Sequence, residues 1–130
     1  MECSELKKAN VLRAQSLHQT FVSCSKLSAV INKDTTFMYD TFRNCNSLEK
    51  LYLLSAIMPS VRSDISNNYV FTNTPMEDSS YLGRYGSIYV PDFLVPAYQR
   101  DSFWGLYSER FVGMTESEMQ YIIDHFDDEE

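Results

Sequence analysis

The first half of the chain carries short groups of apolar residues that recur at a fixed interval. Leu6, Leu27 and Leu48 lie 21 residues apart, and each opens a segment in which apolar and polar positions alternate. Alternation with a period of two is typical of β-strands, because successive side chains point to opposite faces. The pattern therefore predicts one short strand in every unit of 21 residues.

A cysteine precedes each of these leucines by three positions. Cys3, Cys24 and Cys45 are also 21 residues apart, and TFVSC and TFRNC end at the second and third. The unit is therefore T-F-x-x-C-x-x-L. Units of about 20 to 29 residues with one strand each bury their apolar face only by stacking as parallel coils. We expect Phe21 and Phe42 to point inward on the convex side.

One position departs from the repeat, and the pattern itself changes after Leu53. Asn32 stands where Leu53 and Val11 stand in the other units, which predicts a strand end or a polar ladder position. Many Pro, Gly, Ser, Asn and Asp residues follow and indicate turns and loop. Ile88 and Val90, which alternate with Tyr89, then predict a short strand that Pro91 stops, with Asp92 as the N-cap of a helix that runs to about Arg100.

Two more helices are predicted near the end of the chain. The first holds aromatic residues at spacings of three and four, namely Trp104, Tyr107 and Phe111. A core role for this tryptophan is favoured over a binding anchor. Thr115 and Glu118 fit a capping box for a helix from Glu116 to about Phe126. The apolar residues on one face of this helix are Met119, Ile122, Ile123 and Phe126. We expect that face to pack on its own domain, with docking to a partner helix as the alternative.

The repeat resembles the BspA-like leucine-rich repeats, whose unit is approximately A-F-x-x-C-x-x-L-x-x-I-x-L-P. TFVSCSKLSAV and TFRNCNSLEKLYL are similar to it, with Thr in place of the usual Ala. VFTNTP, IYVPDFLVPAY and W-x-x-Y resemble the segment that often closes such arrays, although Pro96 and Gln99 depart from it. The resemblance covers roughly residues 3–118. It implies a binding module of a surface-exposed or phage-associated protein, without catalysis or cofactor.

The predicted fold is an α+β leucine-rich-repeat solenoid with short parallel strands in about three coils. Residues 1–58 hold the repeats, 59–87 an irregular loop and partial repeat, and 88–130 a capping strand and helices with an acidic tail. The N-terminal coil carries no polar cap in the sequence, which predicts self-association through that coil or a further segment upstream.

Charge and hydropathy narrow the classes of partner. The net charge is -7, and residues 114–130 contain seven acids and no Lys or Arg, whereas acids and bases balance in residues 1–113. This balance argues against a basic surface for nucleic acid or anionic lipid. The sequence has no apolar run of membrane-spanning length and no signal peptide. We expect a cytoplasmic protein as given, or a cell-surface or virion protein if the chain is part of a longer one.

No catalytic, cofactor or metal site is predicted. The cysteine spacing fits no zinc knuckle, and His18 and His125 lie in unrelated contexts. A ladder of buried free thiols is favoured. A disulfide is the alternative, since strands about 4.8 Å apart lie within its Cα range, although in-register side chains point in parallel.

The outward face of the strands is the predicted binding surface, because solenoids bind through extended stacked surfaces. Its two columns are Asn10, Ile31, Tyr52 and Tyr89, and Lys8, Ala29 and Lys50. The candidate partner-binding residues are Lys8, Ile31, Lys50, Tyr52 and Tyr89. The leading function is recognition of a protein or glycan. The alternative is a small acidic inhibitor that blocks a basic partner through its C-terminal tail.

Overall fold

The computed structural model describes residues 5–18, 21–39, 41–61, 71, 74–76, 86–101 and 103–127. The strands are β1 (Lys8–Asn10), β2 (Ser16–His18), β3 (Ala29–Asn32), β4 (Phe37–Tyr39), β5 (Lys50–Leu53), β6 (Ser60–Val61), β7 (Ser87–Pro91) and β8 (Phe111–Met114). The helices are α1 (Val95–Arg100) and α2 (Glu116–His125), with 3₁₀ helices at Asp92–Leu94 and Trp104–Arg110. The chain is thus α+β, as predicted.

The strands form two parallel sheets. The larger sheet has the order β1-β3-β5-β7-β8, and the smaller one the order β2-β4-β6. The smaller sheet was not predicted, because its strands have only two or three residues and little alternation. The strand β6 lies in the part of the sequence that was expected to be irregular.

Paired strands in the first half are offset by a constant number of residues. Lys8 is opposite Ala29, and Ala29 is opposite Lys50, so each partner lies 21 positions further along the chain. Ser23 and Asn44, which precede two cysteines of the T-F-x-x-C motif, both have a positive φ, 62° and 64°. Few non-glycine residues adopt this conformation. The same backbone turn therefore occurs at the same position of two successive units.

The core lies between the two sheets and continues under the C-terminal helices. The rings of Phe21, Phe42 and Phe71 stack in sequence, with centroids 5.8 Å apart at each step. Phe21 and Phe42 therefore point inward, as predicted. Trp104 is 1 % exposed and donates its indole N–H to the carbonyl of Pro59. Its predicted role in the core is confirmed.

Asn32 is a buried polar residue at the end of β3. Its side-chain amide donates to the carbonyls of Val11 and Ala14 at 2.7 and 3.0 Å, and its side-chain oxygen accepts from the N–H of Thr35 at 2.7 Å. It therefore fixes the chain turns that follow β1 and β3. This explains why an amide takes a position where other units have an apolar residue.

The C-terminal part differs from the prediction in two places. Asp92 does not cap a helix with its side chain but begins the 3₁₀ helix that precedes α1. Phe111 does not end a helix: it begins β8, which pairs with β7. A Cβ on Gly113 would lie 3.0 Å from Cα of Asp92. A glycine at this position therefore lets β8 lie close to the 3₁₀ helix that Asp92 begins. The expected capping box of Thr115 and Glu118 is present.

We predict that Asn32→Leu lowers the free energy of unfolding by about 2 to 4 kcal/mol, because buried main-chain groups at Ala14 and Thr35 lose their partner. Urea denaturation measures the change. Asn10→Leu is the matched control, since Asn10 is exposed, and it should cost less than about 1 kcal/mol. Equal effects of the two variants would contradict the structural role of Asn32.

Candidate functional site

Helix α2 lies across the outward face of the larger sheet. It starts directly after β8, and its C-terminal end reaches β1, where Lys8 Nζ donates to the carbonyl of Phe126 at 2.7 Å. Asn10 donates to the carboxylate of Asp127 at 2.9 Å. The apolar side of the helix packs on apolar residues of the sheet. The prediction that this side packs on its own domain is confirmed.

This arrangement corrects the predicted binding surface. The two columns have the predicted register, since Asn10, Ile31, Tyr52 and Tyr89 are neighbours on successive strands. Their expected exposure is wrong for Ile31, which is fully buried, and for Tyr52, which is 7 % exposed. The reason is that the apolar side of α2 needs an apolar surface and finds it on these strands.

The other three predicted residues are partly accessible. Lys50 is exposed, and Tyr89 and Lys8 are half-buried. The Lys8 ammonium lies 5.2 Å from the ring centroid of Phe126, which adds a cation–π contact to its hydrogen bond. Lys8 therefore helps to hold α2 in place. The structure brings Tyr52 and Tyr89 together, with stacked rings 4.6 Å apart, but Lys8 stands at the opposite edge of the sheet.

A groove runs along the flank of α2 that faces these tyrosines. Its volume is about 300 Å³, and we call it the tyrosine groove. Its lining residues are Tyr52, Tyr89, Val112, Gly113, Met114, Glu118, Tyr121 and Ile122. Two of its apolar side chains remain open to solvent, since Val112 is 41 % and Tyr121 is 64 % exposed. Concave apolar surfaces of this kind, with few polar groups, are typical of binding sites.

A second groove lies on the opposite flank of α2. It has a volume of about 290 Å³ and continues into a neighbouring groove of about 230 Å³. Lys33 and Ile123 line both parts, and the exposed ring of Phe93 stands at one end. Arg13 and Asp34 at the other end make this flank mixed in charge. Because α2 separates the two grooves, each offers a distinct surface.

The electrostatic character of the tyrosine groove is acidic. Glu118 lines it and Asp124 is also exposed on α2, while Glu116 lines the groove on the other flank. The described residues 111–127 contain four acids and no Lys or Arg. Lys50 is the exposed base of β5 on the same face. The surface beside α2 therefore favours cationic over anionic ligands.

The cysteines differ from the predicted ladder of free thiols. Cys45 is a free and buried thiol that donates to the carbonyl of Phe21 at 2.8 Å, as expected. Cys24 is disulfide-bonded, so the prediction of a free thiol is wrong there. Cys3, the first cysteine of the predicted ladder, lies outside the described residues.

Cys45 has none of the properties of a nucleophile. Burial raises the pKa of its thiol to about 11, although a hydrogen bond with the Cys24 backbone partly opposes this shift. The folded state holds the thiol proton more tightly than the unfolded chain. This contribution to stability is therefore complete below pH 9.0 and is lost as the pH rises towards about 11.

Other reactive groups in the described part of the chain are few. The hydroxyl of Tyr98 has no hydrogen-bond partner among the described residues, and burial, helped by the charge of Asp101, raises the pKa of this phenol. Its ring is packed between Trp104 and Phe111, away from both grooves. Residues 5–18, 21–39, 41–61, 71, 74–76, 86–101 and 103–127 contain no metal-binding group of three His, Cys, Asp or Glu. None of the described helices is long and apolar enough to cross a membrane.

Sequence reasoning missed Val112 and Tyr121 as groove residues. Phe111 was assigned to a helix, so the alternation of side chains in β8 was not recognised. Tyr121 was missed because it lies beside the apolar side of α2. One signal was available. The column of Ile31, Tyr52 and Tyr89 was more apolar than an exposed surface requires, and the last helix needed an apolar surface. Together these facts would have placed α2 on the sheet.

No family model matches the chain, and neither a curated protein nor a solved structure shows significant similarity to it. The resemblance to BspA-like repeats therefore remains a prediction.

We predict that Phe126→Ala costs about 3 to 4 kcal/mol of stability, because its ring is 3 % exposed and packs edge-on against Tyr52. Tyr121→Ala on the same helix should change stability by less than about 0.5 kcal/mol. Thermal and urea unfolding measure both. If Phe126→Ala is as stable as the parent chain, α2 does not anchor the outward face.

We also predict that the Cys45 thiol of the folded chain resists alkylation. Burial and the raised pKa leave little accessible thiolate near pH 8. Iodoacetamide should modify Cys45 only after denaturation, as mass spectrometry of peptides measures. Rapid modification of the native protein would show that the thiol is accessible.

Proposed function

We propose that this chain is a non-catalytic interaction module of the leucine-rich-repeat type that binds a partner protein through the tyrosine groove. The resemblance to BspA-like repeats extends the proposal to a surface, adhesin-like or phage-associated protein. We also propose that the fold is a solenoid and that the partner is a protein rather than a glycan.

Three observations support the repeat architecture. Paired residues in β1, β3 and β5 are 21 positions apart. Ser23 and Asn44 share the same rare backbone conformation at that interval. Phenylalanine rings stack between coils, which is the packing expected when equivalent residues of parallel units lie above each other. Each observation links neighbouring units in the same way.

The exposed side chains of the tyrosine groove support the binding of a partner protein. Val112 and Tyr121 stay exposed although α2 buries most of the apolar surface around them. Aromatic residues, tyrosine among them, are enriched at interfaces, because the ring adds apolar contact area while the hydroxyl stays hydrated. Tyr89 and Tyr121 provide such rings at the rim. Of the residues predicted from the sequence, Tyr89 therefore remains a binding candidate, whereas Tyr52 lines the groove as a buried residue and Ile31 does not line it.

A second candidate function is a small acidic inhibitor of a basic protein. The exposed acids of α2, Glu116, Glu118 and Asp124, favour it. In this case the binding energy would come mainly from charge and would fall steeply with salt. In the first case the exposed apolar side chains of the groove would contribute most.

The interaction module is tested by panning a random peptide-display library on the immobilised full chain. Binders should lose at least about tenfold in affinity to Tyr121→Ser, because hot-spot aromatics contribute about 2 kcal/mol or more. Leu106→Ser is the matched control: Leu106 is 57 % exposed on the second 3₁₀ helix and lines neither groove. Biolayer interferometry measures the affinities. Binders that are insensitive to Tyr121→Ser, or binding only to a glycan array, would overturn the proposal.

The inhibitor is tested by neutralising the tail without shortening it, since Phe126 is buried and a deletion from residue 124 would remove it. The variant Asp128→Asn, Glu129→Gln, Glu130→Gln should keep the affinity of groove binders within about twofold, because their energy comes from apolar contact. A loss of about tenfold or more in this variant would favour the inhibitor instead.

A further inference from the structure

Strand β8 forms an open edge of the larger sheet. Within the described part of the chain it pairs with β7 alone and ends the strand order. Gly113 in its middle is exposed, and because glycine has no side chain, the exposed atoms belong to the main chain. An edge of this kind offers unpaired N–H and C=O groups to an added strand.

The tyrosine groove lies beside this edge. Val112 and Met114 alternate with Gly113 and line the groove, so the outward side of β8 continues into it. A strand added next to β8 would place every second side chain on the same side, next to Val112 and Tyr121. The edge supplies main-chain pairing, and the groove supplies apolar contact.

The charges around the edge select the partner. Glu109 precedes β8, and Glu118 lines the tyrosine groove beside it; both are exposed, whereas Glu116 lines the groove on the other flank of α2. Arg110, the base nearest in sequence, is 8 % exposed and directs its Nε to the carbonyl of Met76. Lys50 lies in β5, two strands and about 10 Å away. The edge therefore repels acidic segments and attracts basic ones.

We propose that β8 binds an extended basic segment of the partner protein by strand addition, with alternate apolar side chains in the tyrosine groove. Its alternate Lys or Arg side chains point to the other face of the strand, and Glu109 and Glu118 attract the positive charge of the segment as a whole. This inference rests on the proposed function and names the class of partner. Two β8 edges of different copies should not pair with each other, because each carries the same acids and would repel the other.

The test uses three kinds of fluorescein-labelled peptide and the full chain, with anisotropy as the readout. The probe is a peptide of about nine residues in which Lys and Val alternate, long enough for one strand. The second peptide has Glu in place of Lys. The third kind is the Lys-Val peptide N-methylated either at every Val or at every Lys. In a strand, the N–H groups of these two sets point to opposite edges.

The Lys-Val peptide should bind at least about tenfold more tightly than the Glu-Val peptide and weaken as salt rises from about 50 to 300 mM. One N-methylation pattern should abolish binding and the other should retain it, since only one set of N–H groups faces β8. Val112→Lys should weaken binding at least about tenfold more than Val112→Glu, because both changes remove the apolar contact but only lysine repels the basic segment. Val112 is exposed, so neither change disturbs the core.

Several results would overturn strand addition. These are no binding of the Lys-Val peptide, equal binding of the Lys and Glu peptides, or equal effects of the two N-methylation patterns. Library binders that depend on Tyr121 but are acidic would also reject this inference, while the proposed function would stand. Loss of all binding that depends on Tyr121 would reject the proposed function itself.

Discussion

The stacking of parallel strands in register is the constraint on which the rest of this structure depends. A strand of three or four residues buries too little surface to be stable alone. Pairing at an offset of 21 residues places Val30 beside Leu51 and the ring of Phe21 beside that of Phe42. Each unit thereby completes the core of the next. An insertion of one residue between two units would reverse the faces of the following strand.

Stacking also requires the bends of each unit to be alike, and polar groups provide this. The Cys45 thiol donates to the carbonyl of Phe21, and Thr41 donates to the carbonyl of Leu17. Both bonds join a side chain of one unit to the main chain of the preceding one. Asn32 does the same at another bend. Because buried main-chain groups need hydrogen-bond partners, these side chains fix the positions at which the chain turns.

The parallel strands of the first half, the inward phenylalanines and the capped last helix could be predicted, because each depends on residues close together in sequence or at a fixed interval. The position of α2 could not, since it depends on contact between residues about 100 positions apart, such as Lys8 and Phe126. This contact decides the candidate site. Because of this contact, Ile31 and Tyr52, which were predicted to be at the surface, are buried in the core. The disulfide of Cys24 was not predicted for a related reason: the spacing of the cysteines indicates which strands are neighbours but not which side chains bond.

The size of α2 explains why any of the outward face stays accessible. Its ten residues span about 15 Å, whereas the five strands cover about 19 Å. The helix is about 10 Å wide, and strands of four residues are about 13 Å long. One helix therefore covers the centre of the sheet and leaves a groove on each flank. Since α2 brings the acids and Tyr121, the element that buries the predicted surface also gives the remaining groove its acidic and aromatic character.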